Sequence, residues 1–149
     1  MAEHKIRLTW NDGGKPFTYE TYPREHHTLF KNGQGVGASA SPAYKGDGKH
    51  ADPEDMLVAA LSSCHMLSFL AICAKKKVTV QSYEDDAVGF LENDSVDGKG
   101  SKLWITRVIL RPKVVSSADA ASLEQIHHLA HEACFIANSV KTQVTVEPQ

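Results

Sequence analysis

Asp52-Pro53-Glu54-Asp55-Met56-Leu57-Val58-Ala59-Ala60-Leu61-Ser62-Ser63-Cys64-His65 opens the longest apolar run of the chain, which continues to Ala74 and ends in Lys75-Lys76-Lys77. An N-cap acid, a proline in the first turn and two further acids suit the positive end of a helix dipole, and three lysines suit its negative end. These signals predict a helix of about 22 residues. Its residues are apolar on nearly every side, which predicts a helix surrounded by protein. The small residues Ala59, Ala60, Ser62 and Ser63 allow another element to approach closely. Residues 56–74 are also long enough to cross a bilayer, with His65 as the one ionisable group. Ser62, Ser63, His65 and Ser68 in the middle of a single such segment favour a buried central helix instead.

Outward from this helix the pattern turns to strands. On the N-terminal side, residues 5–10 alternate Lys5, Arg7 and Thr9 with Ile6, Leu8 and Trp10, the period of a half-buried strand. Asn11-Asp12-Gly13-Gly14 marks a turn, a second strand fits 17–22, a third 26–30, and Asn32-Gly33 predicts a hairpin into a fourth over 36–41. Together these read as an antiparallel sheet, followed by an exposed loop over 43–52. On the C-terminal side, two long strands are expected near 79–91 and 103–115, joined by the polar turn Asn93-Asp94-Ser95-Val96-Asp97-Gly98. Ser116-Ser117-Ala118-Asp119 caps a second helix to about His131, with a helical continuation over 134–140 and a closing strand over 142–146. Strands, a core helix, a hairpin, a second helix and a final strand define an α+β class, read as one domain over 1–149.

At 149 residues and 42% apolar, the chain can bury one proper core. Its net charge of −2 and mixed charge pattern favour neither a nucleic-acid nor an anionic-membrane partner. Three cysteines are too few and too odd a number for a secreted disulfide framework, and residues 1–5 lead into a strand rather than a signal segment. A reducing cytoplasm is the expected location.

Two of the cysteines stand out. Cys64 lies in the middle of the core helix and Cys134 near the end of the second, 70 positions away. Two thiols on separate elements are the minimum apparatus for reversible disulfide chemistry, although Cys64 taken alone reads more simply as a small buried hydrophobe. Cys73 has no polar entourage and reads as structural. A reactive Cys64 needs a cation to hold its thiolate. Of the four arginines, Arg7, Arg107 and Arg111 fall on strand faces, whereas Arg24 follows Pro23 in a stiffened turn. Arg24 reads as a surface charge, yet its planar fork is the best partner available for a thiolate and a carboxylate together. His127, His131 and Cys134 recur at i, i+4 and i+7, which is metal-ligand spacing. No fourth ligand is indicated unless the fold brings in His65, and His127 and His128 read more simply as helix-surface residues. Gly35-Val36-Gly37 lacks the following helix of a phosphate loop.

The motif from Asp52 to His65, together with Ala130-His131-Glu132-Ala133-Cys134-Phe135-Ile136-Ala137-Asn138-Ser139, resembles the OsmC/Ohr family of osmotically inducible and organic hydroperoxide resistance proteins. The order of elements agrees over nearly the whole chain. The resemblance implies an intertwined homodimer of OsmC-like fold and a thiol peroxidase active on organic hydroperoxides and, more weakly, hydrogen peroxide. It implies Cys64 as the peroxidatic cysteine, Cys134 as the resolving cysteine, Glu54 as the carboxylate and Arg24 as the thiolate-holding arginine. It further implies a lipoyl-type or small dithiol reductant and no metal, flavin or haem. Phe135 departs from the commoner family form, in which proline follows the second cysteine. The competing expectation is a non-catalytic stress-sensing or small-molecule-binding domain of the same fold.

Overall fold

The computed structural model describes residues 1–95 and 98–149. Val96 and Asp97, in the turn expected over 93–98, lie outside the described residues, and Asn93, Asp94 and Ser95 extend a strand instead. The chain forms two compact units, Met1–Met56 and Leu57–Gln149.

The first unit is built on a three-stranded antiparallel sheet of β1 (Ile6–Thr9), β2 (His26–Phe30) and β3 (Gly35–Ala38), in that order. Gly33, at φ 84°, makes the β2–β3 hairpin turn that Asn32-Gly33 predicts. The strand expected over 17–22 is absent. There the Thr18 carbonyl accepts the backbone N–H groups of Thr21 and Tyr22, and the Thr21 hydroxyl bonds the Pro16 carbonyl at 2.5 Å, so local bonds fold the segment into a turn. The alternation in β1 also fails to bury a face: Ile6 and Leu8 are both 57% exposed. A three-stranded sheet satisfies backbone hydrogen bonds between its strands but leaves an apolar face open unless a second layer covers it.

Helix α1 (Pro53–Lys75) begins as its sequence predicts. Asp52 accepts the backbone N–H of Asp55 at 2.9 Å, and Asp55 returns a bond from the Asp52 N–H at 3.3 Å, a reciprocal cap. It ends where Lys77 adopts a left-handed φ of 59° and Val78 bonds back to the Cys73 carbonyl.

In the second unit, each of the two long strands expected is broken in the middle. The hairpin consists of β4 (Val80–Asp85), β5 (Val88–Ser95), β6 (Ser101–Leu110) and β7 (Pro112–Ser116). β5 pairs with β6 and β4 with β7, all antiparallel. Helix α2 (Ala120–Glu132) follows, capped by the Asp119 carboxylate on the Ser122 N–H. The expected continuation over 134–140 shrinks to a 3₁₀ turn, Ala137–Ser139. Strand β8 (Gln143–Val146) closes the unit parallel to β6.

Two clusters form the core of this unit. Phe69 and Cys73 of α1 pack with Ile126 and Ala130 of α2, and Leu61 packs with Val108 and Leu110 of β6. The helix comes close to the sheet at Gly89, where an added Cβ would lie 2.6 Å from Val58. α1 is nevertheless not surrounded by its own chain. Its fully buried residues, Leu61, His65, Phe69 and Cys73, recur every four positions in one stripe, while Leu67 is 61% exposed. The strands of this unit and its second helix cover only one side of the α1 cylinder, and the apolar residues round the rest of α1 stay in reach of solvent.

Candidate functional site

Cys64 lies midway along α1 and is half-buried. Cys134 follows the end of α2 and is 1% exposed. α2 packs on α1 through Ile126 and Ala130, and the chain leaving α2 turns back so that the Cys64 thiol comes near enough to the Cys134 thiol to raise its pKa. The turn is held by side chains: the Asn138 amide donates to the Glu132 carbonyl at 3.0 Å and the Ser139 hydroxyl to the Phe135 carbonyl at 2.7 Å. Burial pushes the Cys134 thiol above its ordinary pKa. The Ala137 N–H, bonded to its sulfur at 3.4 Å, pulls it partly back, and the Cys64 thiol raises it again. Cys73 is buried in the core and pushed up by burial alone.

The chemistry open to such a pair is thiol–disulfide exchange: two free, neighbouring thiols on different elements, one half-buried and one buried. The four apolar residues that follow Cys64 in sequence do not share one surface. Phe69 and Leu70 pack into the α1–α2 core, whereas Leu67 is exposed.

Arg24 and Glu54 belong to the first unit and line one cavity of about 590 Å³, together with Trp10, Tyr22, Ser39 and Tyr44. The sequence reads Arg24 as a surface charge, but it is only 9% exposed. Its guanidinium donates to the Tyr22 and Tyr19 carbonyls, both at 2.6 Å, and lies 3.6 Å from the centre of the Tyr22 ring. Cation–π contact and two carbonyl acceptors hold the fork in place, whereas the sequence reading pairs it with a thiolate and a carboxylate. No ion pair joins Arg24 to Glu54 among the described residues.

The histidines behave differently from their sequence reading. His127 is not on the helix surface: it is 3% exposed and its ring lies 4.2 Å from that of Phe69. Its Nδ1 is 3.0 Å from Nε2 of His65, which is 1% exposed. The two rings are coplanar within 8° and their centroids are 5.3 Å apart, the separation produced when two imidazoles meet end to end through facing nitrogens. The contact is therefore a linear N–H···N bond carrying one proton. Burial, reinforced for His65 by His127 and His131, lowers the pKa of His65 to about 4. Burial likewise lowers His127 to about 4, against a small opposing pull from Asp85. Among the described residues, no group of three or more His, Cys, Asp or Glu side chains is arranged to hold a metal ion.

Sequence reasoning missed Asp85. Its carboxylate accepts the Ser62 hydroxyl of α1 at 2.5 Å and the Arg111 backbone N–H at 2.6 Å, at the point where the long strands break. No local signal marks it, because its partners lie 23 and 26 residues away.

Residues 46–149 match the family model for OsmC-like proteins. An OsmC-like protein of unknown function from Vibrio cholerae is 46% identical over all of both chains and superposes with a TM-score of 0.91. An organic hydroperoxide resistance protein of Bacillus subtilis is 16% identical, with 99% of this chain and 98% of that one covered and a TM-score of 0.70. One from Legionella pneumophila is 18% identical, with 99% and 96% covered and a TM-score of 0.71. At that identity the last two share the fold. Comparison with curated protein sequences finds no match. With an α+β architecture of two helices and several small sheets, the chain belongs to the OsmC-like family.

Proposed function

We propose that the protein is a thiol peroxidase that reduces organic hydroperoxides, and hydrogen peroxide more weakly, in defence against oxidative stress. The observation that carries this reading is the proximity of the Cys64 and Cys134 thiols, brought near one another from positions 70 residues apart. The Cys64 thiolate attacks the terminal oxygen of the hydroperoxide; the O–O bond breaks, Cys64 becomes a sulfenic acid, and the alcohol leaves with a proton. The Cys134 sulfur then attacks the sulfenic sulfur and displaces water, leaving a Cys64–Cys134 disulfide that protects Cys64 from overoxidation. An external dithiol of lipoyl or small-molecule type reduces it by exchange, in a cytoplasm that keeps the resting thiols reduced. No metal, flavin or haem takes part.

Arg24 and Glu54 complete the proposed site, with Arg24 holding the thiolate. Ten residues separate Glu54 from Cys64 on α1, which is about 15 Å along the axis and about 80° around it. One helix cannot bring the two into contact, so the carboxylate at each thiol comes from a second copy in a homodimer with two equivalent sites. The apolar circumference of α1 that its own chain leaves open suits such a pairing. The experiment is consumption of an organic hydroperoxide under dithiothreitol, with peptide mapping after one equivalent of oxidant. Turnover that vanishes in Cys64→Ser and a 64–134 link are expected. No turnover by the native chain makes the domain a non-catalytic sensor or binder, and a Cys64–Cys73 link overturns the assignment of roles.

A further inference from the structure

The mechanism above leaves unused the most deeply buried polar contact in the second unit, the bond between His65 and His127. His65 follows Cys64 directly on α1, and His127 lies two turns before Cys134 on α2. No other side-chain hydrogen bond among those of the described residues joins these two helices. The pair is enclosed by Phe69 on α1, His131 on α2, and Tyr83 and Asp85 on β4. Apolar contacts between helices tolerate sliding, because dispersion is non-directional. A linear N–H···N bond tolerates little: it fixes distance, azimuth and axial register at once.

We propose that His65 and His127 form a positioning clamp that sets the register of α1 against α2 and thereby holds the Cys64 and Cys134 sulfurs in line for disulfide formation. The clamp acts on the resolving step. Attack of a hydroperoxide on Cys64 needs only the one sulfur, whereas the second step needs two sulfurs to meet along the S–O axis, and a small misplacement there is costly. This inference rests on Cys64 and Cys134 being the working pair of the proposed function.

The test uses diamide as well as peroxide, so that the clamp is measured apart from peroxidase activity. With diamide, the thiolate of one cysteine adds to the N=N bond, and the other thiolate displaces the hydrazine, so two thiols are oxidised as the diazene is reduced. In native protein the 64–134 disulfide should form rapidly. In the double variant His65→Leu/His127→Leu both hydrogen-bonding partners are replaced by apolar groups, a change that leaves stability nearly untouched when the site repacks. Its disulfide should form about tenfold more slowly or worse. The single variant His65→Gln, whose amide nitrogen can occupy the place of Nε2, should recover most of the rate, and His128→Ala, on the exposed side of α2, should change nothing. With an organic hydroperoxide, the double variant should form sulfenic acid at the native rate, trapped by dimedone, but pass more of it to sulfinic acid. A folded double variant that closes its disulfide at the native rate, or loses both steps equally, overturns the clamp. If diamide closes the link rapidly in native protein while hydroperoxide leaves Cys64 untouched, the peroxidase reading fails and the clamp is still judged by the diamide rates.

Discussion

The Asp85 carboxylate accepts the backbone N–H of Arg111 at 2.6 Å, one oxygen capping the break between β6 and β7 while the other takes the Ser62 hydroxyl of α1. One side chain thus satisfies the amide freed where the hairpin bends and ties the bend to the helix that carries Cys64. Hydrogen bonds to a charged acceptor contribute more than neutral ones, and removing the acceptor strands a half-buried donor. Asp85→Ala should therefore cost about 2–3 kcal/mol of stability, and Asp85→Asn less, since one carbonyl oxygen remains. Urea denaturation with an unchanged slope measures it. A loss under about 0.5 kcal/mol would show the bend to be held by the strands alone.

The buried histidine pair sets an acid limit on stability. The folded pKa of each member is lowered to about 4 from an ordinary 6.5, so between those values the unfolded chain binds more protons than the folded one. Stability is then fully present above pH 6.5 and declines as the pH falls toward 4. His127→Leu removes one titrating group and relieves His65 of a neighbour, which should reduce the slope in that window by about half or more. Denaturation midpoints at pH 4.5, 5.5 and 7 give the comparison, and equal slopes in both proteins would mean that other groups set the acid limit.

Organic hydroperoxides should be reduced faster than hydrogen peroxide. Leu67 and Phe135 are 61% and 81% exposed on the segments that carry the two cysteines, apolar surface against which an alkyl or aryl tail can pack. Binding energy from that tail lowers the barrier only if it is realised as the O–O bond breaks. A kcat/KM for cumene hydroperoxide at least tenfold above that for hydrogen peroxide is expected, and equal or reversed values would rule out a role for the tail.

Mixing inactive Cys64→Ser chains with inactive Glu54→Ala chains should restore activity, with one intact site in each mixed dimer. Random exchange of equal amounts predicts recovery of roughly a quarter of native activity, because half of the dimers are mixed and each has one working site of two. Mass spectrometry verifies exchange. Sedimentation as a monomer, or no recovery after exchange, would leave Glu54 as an acid that only favours the helix start.

The variant Asp119→Ala removes the cap of α2 and loosens the segment that delivers Cys134. Bonds from the Ser122 N–H and hydroxyl hold the Asp119 carboxylate below its ordinary pKa, so the cap contributes above the unfolded value and is lost as the pH falls through the folded one. The melting temperature at pH 7 should drop by several degrees in Asp119→Ala, and the gap between the variant and native protein should narrow below pH 4.

The chain's local chemistry determined what acts over a few residues. Asp52 and Pro53 start α1, Asp119 starts α2, Asn32-Gly33 turns the hairpin, and the run of elements gives the α+β class, because caps and turns satisfy donors three or four positions away. Where local signals competed, sequence misled: residues 17–22 read as a strand, but backbone bonds to the Thr18 carbonyl and the Thr21 hydroxyl on the Pro16 carbonyl fold them into a turn. The two cysteines could be singled out from their motifs, whereas their proximity depends on how α2 packs on α1. His65 and His127, 62 residues apart, read as separate helix residues until packing places both rings in one plane. Arg24 reads as a surface charge until the Tyr22 ring and two carbonyls enclose it. Burial and facing partners depend on contacts across long sequence separations, and no window of adjacent residues contains them.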